Sequence, residues 1–482
     1  MKYISLSQKS LFFSLFYLLS FSSLAQECRI SISIDNFTEK EIYVAQYYGD
    51  KPYLMDTLQR EANGKFFFQE DEKLDAGMYF LVLPPERQFV QFLIGEKEQQ
   101  FTIMADKNKL PESIQVNGSR DNDLFYTYLT YTKKQQGVLD SLREKLLEAN
   151  DDEFEAARIR ELMDKERENM RAYNLDIAAR HPNTVTAALL KAEVEPEIPE
   201  FEGEDDEDIR YKRFYYRRDH YFDNAPLDDN RLLRSPVLYK RVSFFLDKMT
   251  PQNADSLSHA LNFILDGAFA SEENFQFFLI NYLNKYAQIN ILGLDAVFVH
   301  LVDRYVSSGK SSFLEEEARN EVIKKASRMK PTLIGKQAPE ITVYDENDQP
   351  VPLYDIDANY TVMIFWRPGC STCQKSMPFV NKFYDAYKDK GVKVVSVCTE
   401  MGEKATECWP YVEQKGMKNR FINTYDPRNR SRFYQKYDVR TTPKILVLDK
   451  NKEILINRIG AEQLGEILDR FLEKDSEENE NK

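Results

Sequence analysis

The chain is poor in the residues that build metal sites and disulfide scaffolds. It has 4 His in 482 residues, and His181, His220, His259 and His300 lie so far apart that no HxxxH-type metal motif exists. Its 5 Cys are too few for a disulfide-dense miniprotein. Positive charge is also short, with 65 Lys+Arg against 79 Asp+Glu and a net charge of −14. A phosphate-backbone binder needs a basic footprint, so the balance argues against a nucleic-acid partner. Beyond the N-terminal residues no stretch is apolar enough to span a bilayer.

What is present is enough for several cores. Hydrophobic residues make up 42% of the chain, with 32 Phe and 28 Tyr as bulky packing material, which excludes disorder throughout. At roughly 100–200 residues per domain, the length implies two to four domains.

The first residues form a separate unit. Residues 1–10 carry Lys2 and Lys9 and no acid, residues 11–20 are the mostly apolar run LFFSLFYLLS, and Ser23-Leu24-Ala25 supplies small residues for cleavage. That order is a secretory signal peptide over residues 1–25, and the apolar run is short for an uncleaved anchor. Cys28 follows Ala25-Gln26-Glu27, where a lipobox would place small or aliphatic residues, so lipidation is not expected. Cleavage removes two lysines and no acid, giving a mature charge of −16. The expected compartment is oxidising, a bacterial periplasm.

Residues 26–119 have an apolar period of two. Ile30, Ile32 and Ile34 alternate with Ser31, Ser33 and Asp35, and turn residues such as Asn63-Gly64 and Pro84-Pro85 separate later runs. Short strands of this kind predict a β-sandwich or barrel. Asp121 and Asn122 read as helix caps, and residues 120–192 as a helical hairpin broken near Asn150-Asp151-Asp152. Residues 193–208 contain ten acids, two Pro and one Gly, and read as an exposed, protease-sensitive connection rather than a calcium loop. Residues 209–330 return to helical periodicity, with Leu261, Ile264, Leu265 and Ala268 on one face. Their opening Tyr/Arg-rich stretch, residues 210–222, reads as an intramolecular ion-pair and stacking patch.

The pattern changes again over residues 331–475. A strand, Tyr360–Trp366, runs into Arg367-Pro368-Gly369-Cys370-Ser371-Thr372-Cys373 and a helical segment. A second buried strand is Val392–Cys398. Thr441-Thr442-Pro443 introduces a third, Lys444–Leu448, a fourth spans residues 453–458, and a helix over residues 461–472 precedes an acidic tail, 476–482. This β-α-β…β-β-α order with CxxC at a strand-to-helix turn is the thioredoxin layout.

Each part has a physical reason. A first Cys at a helix N-terminus feels the positive end of the macrodipole and unpaired N–H groups. The second Cys, one turn on, is within disulfide reach. Arg367 adds positive charge, Trp366 packs beside the pair, and Thr442-Pro443, predicted cis, shapes a substrate groove. Neither a second CxxC nor a His pair completes a zinc site. The expected roles are attack by Cys370 as thiolate and resolution by Cys373. Cys398 ends an apolar strand and reads as a buried small hydrophobe, with a bridge to Cys408 as the other arrangement.

Residues 333–473 resemble the TlpA-like branch of thioredoxin-fold proteins, the envelope thiol–disulfide oxidoreductases. The resemblance rests on GKQAPEITVYDENDQPVPLYD, FWRPGCSTCQKSMP and VRTTPKILVLD. Residues 29–118 resemble a β-rich domain of unknown function placed before such thioredoxins in Bacteroidota. Residues 209–330 resemble a helical domain of unknown function from the same proteins. The resemblance implies reduction of protein disulfides, with electrons from a membrane reductant. It implies no cofactor and no metal, and it leaves the oligomeric state open.

Three positions depart from the pattern. Ser371-Thr372 stands where Gly-Pro or Glu-Pro is common, and Ile364 where ordinary thioredoxins keep a buried Asp. Ser376 stands where many TlpA-like proteins have a Glu near the sulfurs, so a pKa-tuning carboxylate is missing. Two other classes compete with the redox reading. A binding or scaffold protein would use the thioredoxin domain as an adaptor. A peroxiredoxin-like peroxidase usually has Thr three residues before its reactive Cys, where this chain has Arg367.

Overall fold

The computed structural model describes residues 28–149 and 152–480. The expected signal peptide, residues 1–25, and the expected helix break at Asn150-Asp151 lie outside the described residues. The chain divides into two compact units. One comprises residues up to 195 together with 231–237, and the other residues 196–230 and 238 onward.

The first unit begins with eight strands: β1 (Cys28–Asp35), β2 (Glu41–Tyr48), β3 (Lys51–Gln59), β4 (Phe66–Glu70), β5 (Gly77–Leu83), β6 (Gln88–Ile94), β7 (Gln100–Asp106) and β8 (Gln115–Asn117). They form two four-stranded sheets, ordered β4-β1-β7-β8 and β3-β2-β5-β6. The period-two pattern fixes which side chains face inward. Ile30, Ile32, Phe66 and Ile103 from one sheet meet Ile42, Val44, Leu81 and Phe92 from the other in one core. The result is a β-sandwich, with β1 and β7 its one parallel pair.

Three helices complete this unit: α1 (Arg120–Glu148), α2 (Glu153–Arg180) and α3 (Val185–Glu193). The capping expectation needs correction. Ser119 caps α1 by accepting from the Asn122 N–H. The Asp121 carboxylate instead accepts from the backbone N–H groups of Val185 and Thr186 at 2.7 and 2.8 Å, holding the start of α3. The Asn122 side chain bonds both backbone groups of Leu93 on β6. Both residues are caps by type, but their partners are distant in sequence and invisible to local spacing.

The chain then leaves this unit and returns for residues 231–237. There the Arg234 carbonyl accepts from Met78 N–H at 2.9 Å, and the Arg234 guanidinium pairs with Asp75 at 2.5 Å. The segment includes the end of α5 (Asn230–Leu233) and the first residues of α6 (Pro236–Lys248).

The second unit opens on an irregular stretch whose carboxylates from Glu197 through Asp205 are exposed. Phe201 nevertheless packs against Tyr216 of α4 (Asp206–Asp219), and Lys212 donates to the Glu202 carbonyl. Helices α7 (Ala254–Ala268), α8 (Glu272–Ala287), α9 (Asp295–Leu301) and α10 (Glu316–Met329) follow. Leu261, Ile264, Leu265 and Ala268 are buried on α7, as its 3.6-residue period requires.

The last third is a seven-stranded sheet between helices. Its strands are β9 (Thr342–Tyr344), β10 (Pro350–Pro352), β11 (Tyr360–Trp366), β12 (Val392–Cys398), β13 (Ile422–Tyr425), β14 (Lys444–Leu448) and β15 (Ile454–Ile456). The order is β10-β9-β13-β12-β11-β14-β15, with β11, β12 and β13 parallel and β14 antiparallel to β11. Helices α11 (Ser371–Tyr387), α12 (Cys408–Gln414), α13 (Phe433–Lys436) and α14 (Leu464–Glu480) complete the thioredoxin-like α/β layout. β11 is buried along its whole length, because the sheet is covered on both faces. The expected acidic tail is helical through Glu480: α14 continues past residue 472, and Tyr360 donates to Asp475 on it.

Candidate functional site

The site forms where β11 ends and α11 begins. Cys370 is the N-cap of α11, with extended backbone at φ −89° and ψ 111°, and its sulfur accepts from the Cys373 N–H at 3.1 Å. A helix start leaves N–H groups without intrahelical partners, and a thiolate fills that place well. As a thiol, Cys370 donates to the Thr442 carbonyl at 3.1 Å. The Thr442–Pro443 bond is cis, as expected.

The two sulfurs have opposite environments. Burial acts to raise the Cys370 thiol, but hydrogen bonds from Cys373, Thr442 and Thr372 outweigh it and set the group below its ordinary value. Burial pushes the Cys373 thiol up to about 12, and its bond to Cys370 adds to the rise. Cys373 is fully buried, whereas Cys370 keeps a small exposed edge.

The other expected site residues fall around this pair. Trp366 ends β11, is fully buried and shares one core cluster with Cys370 and Cys373. Arg367 is exposed, and its backbone is among the groups favouring the Cys373 thiolate. Ser376 is buried on α11. Ile364 packs in the same cluster as the two thiols, so an alkyl side chain occupies the place of an acid.

Cys398 and Cys408 form a disulfide with Cα atoms 6.1 Å apart, which corrects the reading of Cys398 as a free buried hydrophobe. The segment between them folds back so that α12 begins beside the end of β12. Spacing alone does not reveal this. Cys398 pairs in register with Trp366, so the bridge lies one strand from the strand that leads to Cys370 and Cys373.

Sequence reasoning missed Tyr411. Its ring stacks on Trp366 at 4.8 Å, and burial, then the charges of Cys373 and Cys370, push its hydroxyl up to about 12. A tyrosine 38 positions after Cys373 carries no local signal. Lys444 was missed too, although it directly follows Pro443. Burial lowers it to about 8, and its ammonium donates to the Asp438 carbonyl. Among the described residues no group of three or more His, Cys, Asp or Glu is placed to hold a metal, and no helix is long and apolar enough to cross a membrane.

Three family models match the chain. Residues 333–469 match Redoxin, residues 28–125 the domain of unknown function DUF4369, and residues 161–328 the domain of unknown function DUF5106. Among curated proteins, the thiol-disulfide oxidoreductase ResA of Bacillus cereus is 30% identical over 141 residues, which is 29% of this chain and 78% of that protein. ResA of Geobacillus kaustophilus is 26% identical over 121 residues, 25% of this chain and 66% of that protein. Among solved structures, a domain of a possible thiol-disulfide isomerase from Cytophaga hutchinsonii is 31% identical, covering 31% of this chain and 97% of that one, with TM-score 0.28. A thioredoxin-like protein from Bacteroides caccae is 18% identical, covering 57% and 97%, with TM-score 0.44. Through its C-terminal third, behind two domains of unknown function, the chain belongs to the ResA-like family of thiol–disulfide oxidoreductases.

Proposed function

We propose that the protein reduces protein disulfides in the bacterial envelope through Cys370 and Cys373. The observation that carries this reading is the asymmetry of the pair. Cys370 sits at a helix start with a lowered thiol, and Cys373 is buried with a raised one. A low thiol attacks first at neutral pH, and a high, shielded one waits to resolve.

In the reaction the Cys370 thiolate attacks one sulfur of a substrate disulfide. The substrate S–S bond breaks, a mixed disulfide forms, and the departing sulfur takes a proton. Cys373 then gives up its proton and attacks the Cys370 sulfur. The second substrate thiol leaves and Cys370–Cys373 becomes a disulfide. Two electrons have passed to the substrate, and a membrane reductant restores the dithiol. Thr442 and Pro443 line the place where a substrate strand pairs, because the Thr442 carbonyl already meets Cys370. Trp366 holds the inner wall, and Arg367 and Ser376 tune the pair. Secretion through residues 1–25 would place the protein, unlipidated, in the periplasm.

The test is insulin reduction by the full chain with dithiothreitol as electron source. Cys370→Ser is expected to abolish it, and Cys373→Ala to accumulate mixed disulfides through Cys370. Equal trapping by Cys370→Ala and Cys373→Ala would remove the assigned roles.

A further inference from the structure

The acidic chain carries a local concentration of positive charge beside its redox groove. The Asp438 carboxylate lies 3.0 Å from the Arg440 guanidinium and 3.6 Å from that of Arg328. Arg440 belongs to the loop that leads to the cis proline, two residues before Thr442. Arg328 comes from the last turn of α10, in the helical region. One turn earlier on α10, Lys325 donates to the Ala287 carbonyl at 2.7 Å, and its ammonium lies in the field of Arg328, Arg440, Arg458 and Asp438. Asn457, just after β15, donates to Asp295 at the start of α9, and the exposed Arg458 that follows acts on both Lys325 and Lys444.

Lys325, Arg328, Arg440, Lys444 and Arg458 thus gather in one neighbourhood, and the carboxylates that act on its two lysines are Asp295 and Asp438. This local excess is opposite in sign to the chain's net −14. One oxygen of Asp438 serves two guanidiniums, so the carboxylate cannot neutralise the group. Arg440 and Arg458 are exposed. An extended segment advances about 3.3 Å per residue, so Arg440 stands within about 7 Å of Thr442 along the loop.

We propose that Lys325, Arg328, Arg440 and Arg458 form a recognition rim, built jointly by α10 and the cis-proline loop, that selects substrates whose cysteine is flanked by acidic residues. This rests on the disulfide-reductase reading and adds the substrate class to it. It also gives the helical region a part in the reaction. An acidic peptide strand pairing beside Thr442 would lay its carboxylates on the rim, where fields from several cations add. Rim charges act on encounter and on the preference among partners, so the effect belongs in KM and in salt dependence rather than in kcat.

The test uses three labelled peptides, identical except for acidic, neutral or basic residues flanking one cysteine. Binding is read by fluorescence anisotropy on the full chain carrying Cys370→Ser and Cys373→Ser, so it does not depend on the chemistry. The acidic peptide is expected to bind about tenfold more tightly than the neutral one at low salt, with the gap closing as the ionic strength rises past the Debye limit. Arg440→Glu with Arg458→Glu should erase or invert the preference. Lys240→Glu, which reverses an exposed charge on α6, should keep it. Equal binding of the three peptides, or an acidic preference that survives the double reversal, overturns the proposal. Anionic vesicles that compete with the acidic peptide would assign the rim to a membrane surface and also overturn it. Failure of the wild-type chain to reduce the disulfide forms of all three peptides would instead count against the reductase reading, whatever the anisotropy gives.

Discussion

The sandwich and the thioredoxin-like domain each bury a free cysteine in a sheet-built core, and the two thiols have opposite character. Cys28 lies on β1 with no exposed surface, and burial, with the Glu70 charge adding, pushes it up to about 11. Cys370 is nearly as buried but caps a helix, and hydrogen bonds there set it below its ordinary value. Burial by itself makes a cysteine inert, because the thiolate loses water and gains nothing. A strand offers no remedy, since its N–H groups belong to the ladder, as Arg29 shows by donating to the Gln99 carbonyl. A helix start leaves N–H groups unpaired and aimed at the sulfur. Between Cys28 and Cys370 the direction of the shift follows the backbone position rather than depth.

The most severe test of this contrast is removal of each sulfur. Cys370→Ser is expected to lose essentially all disulfide reduction, and Cys28→Ser none. Loss with Cys28→Ser at unchanged thermal stability would break the comparison. A finer measurement is alkylation of the reduced chain against pH. The thiolate is the reactive form, so the lower thiol reacts at lower pH. Cys370 should reach half its limiting rate below the ordinary thiol value of about 8.5, and Cys28 only near 11. At neutral pH the thiolate fraction of Cys28 is then about three hundredfold below that of an ordinary thiol. Peptide mapping of the labelled sites reads both curves.

The bridge provides a third kind of cysteine, one held in a bond and without a titrating thiol. Cys398→Ala with Cys408→Ala opens a loop of sequence separation 10, and the loss is expected to be about 2–3 kcal/mol of stability. Urea unfolding with and without the pair measures it. A larger change in redox activity than in stability would show that the bridge also shapes the Trp366–Tyr411 wall.

The smallest expected effect comes from restoring a carboxylate. Ser376 is buried one turn beyond Cys373, so Ser376→Glu brings negative charge toward the pair. The Cys370 thiol should rise by about one unit, a tenfold loss of thiolate at neutral pH. Superimposable alkylation curves for the two proteins would mean that position 376 does not sense the sulfurs.

Local pattern was enough for much of the redox domain. The strands Tyr360–Trp366, Val392–Cys398 and Lys444–Leu448 lie where their apolar runs begin and end. The placement of Cys370 and Cys373 at a helix start, Trp366 at a strand end and Thr442-Pro443 at a cis bond was legible because each of these has signals only a few residues long. The strands Glu41–Tyr48 and Lys51–Gln59 were not: Lys51–Gln59 is an edge strand exposed along most of its length, and Glu41–Tyr48, its inner neighbour, keeps no clean alternation of buried and exposed residues. The return of residues 231–237 to the first unit was equally hidden. It depends on backbone bonds to Gly49 and Met78, far back in the chain.

By itself, then, the order of residues determined where the thiols stand on their elements, and with that which thiol is lowered, because capping and the helix field act over one turn. Tertiary structure decided the rest of the site. Only the fold brings Tyr411 onto Trp366, closes Cys398 on Cys408, and sets Arg328 of α10 against Asp438 of the cis-proline loop. Those contacts join residues from ten to just over a hundred positions apart. Their energies depend on burial and distance, and neither is written in any short stretch of sequence.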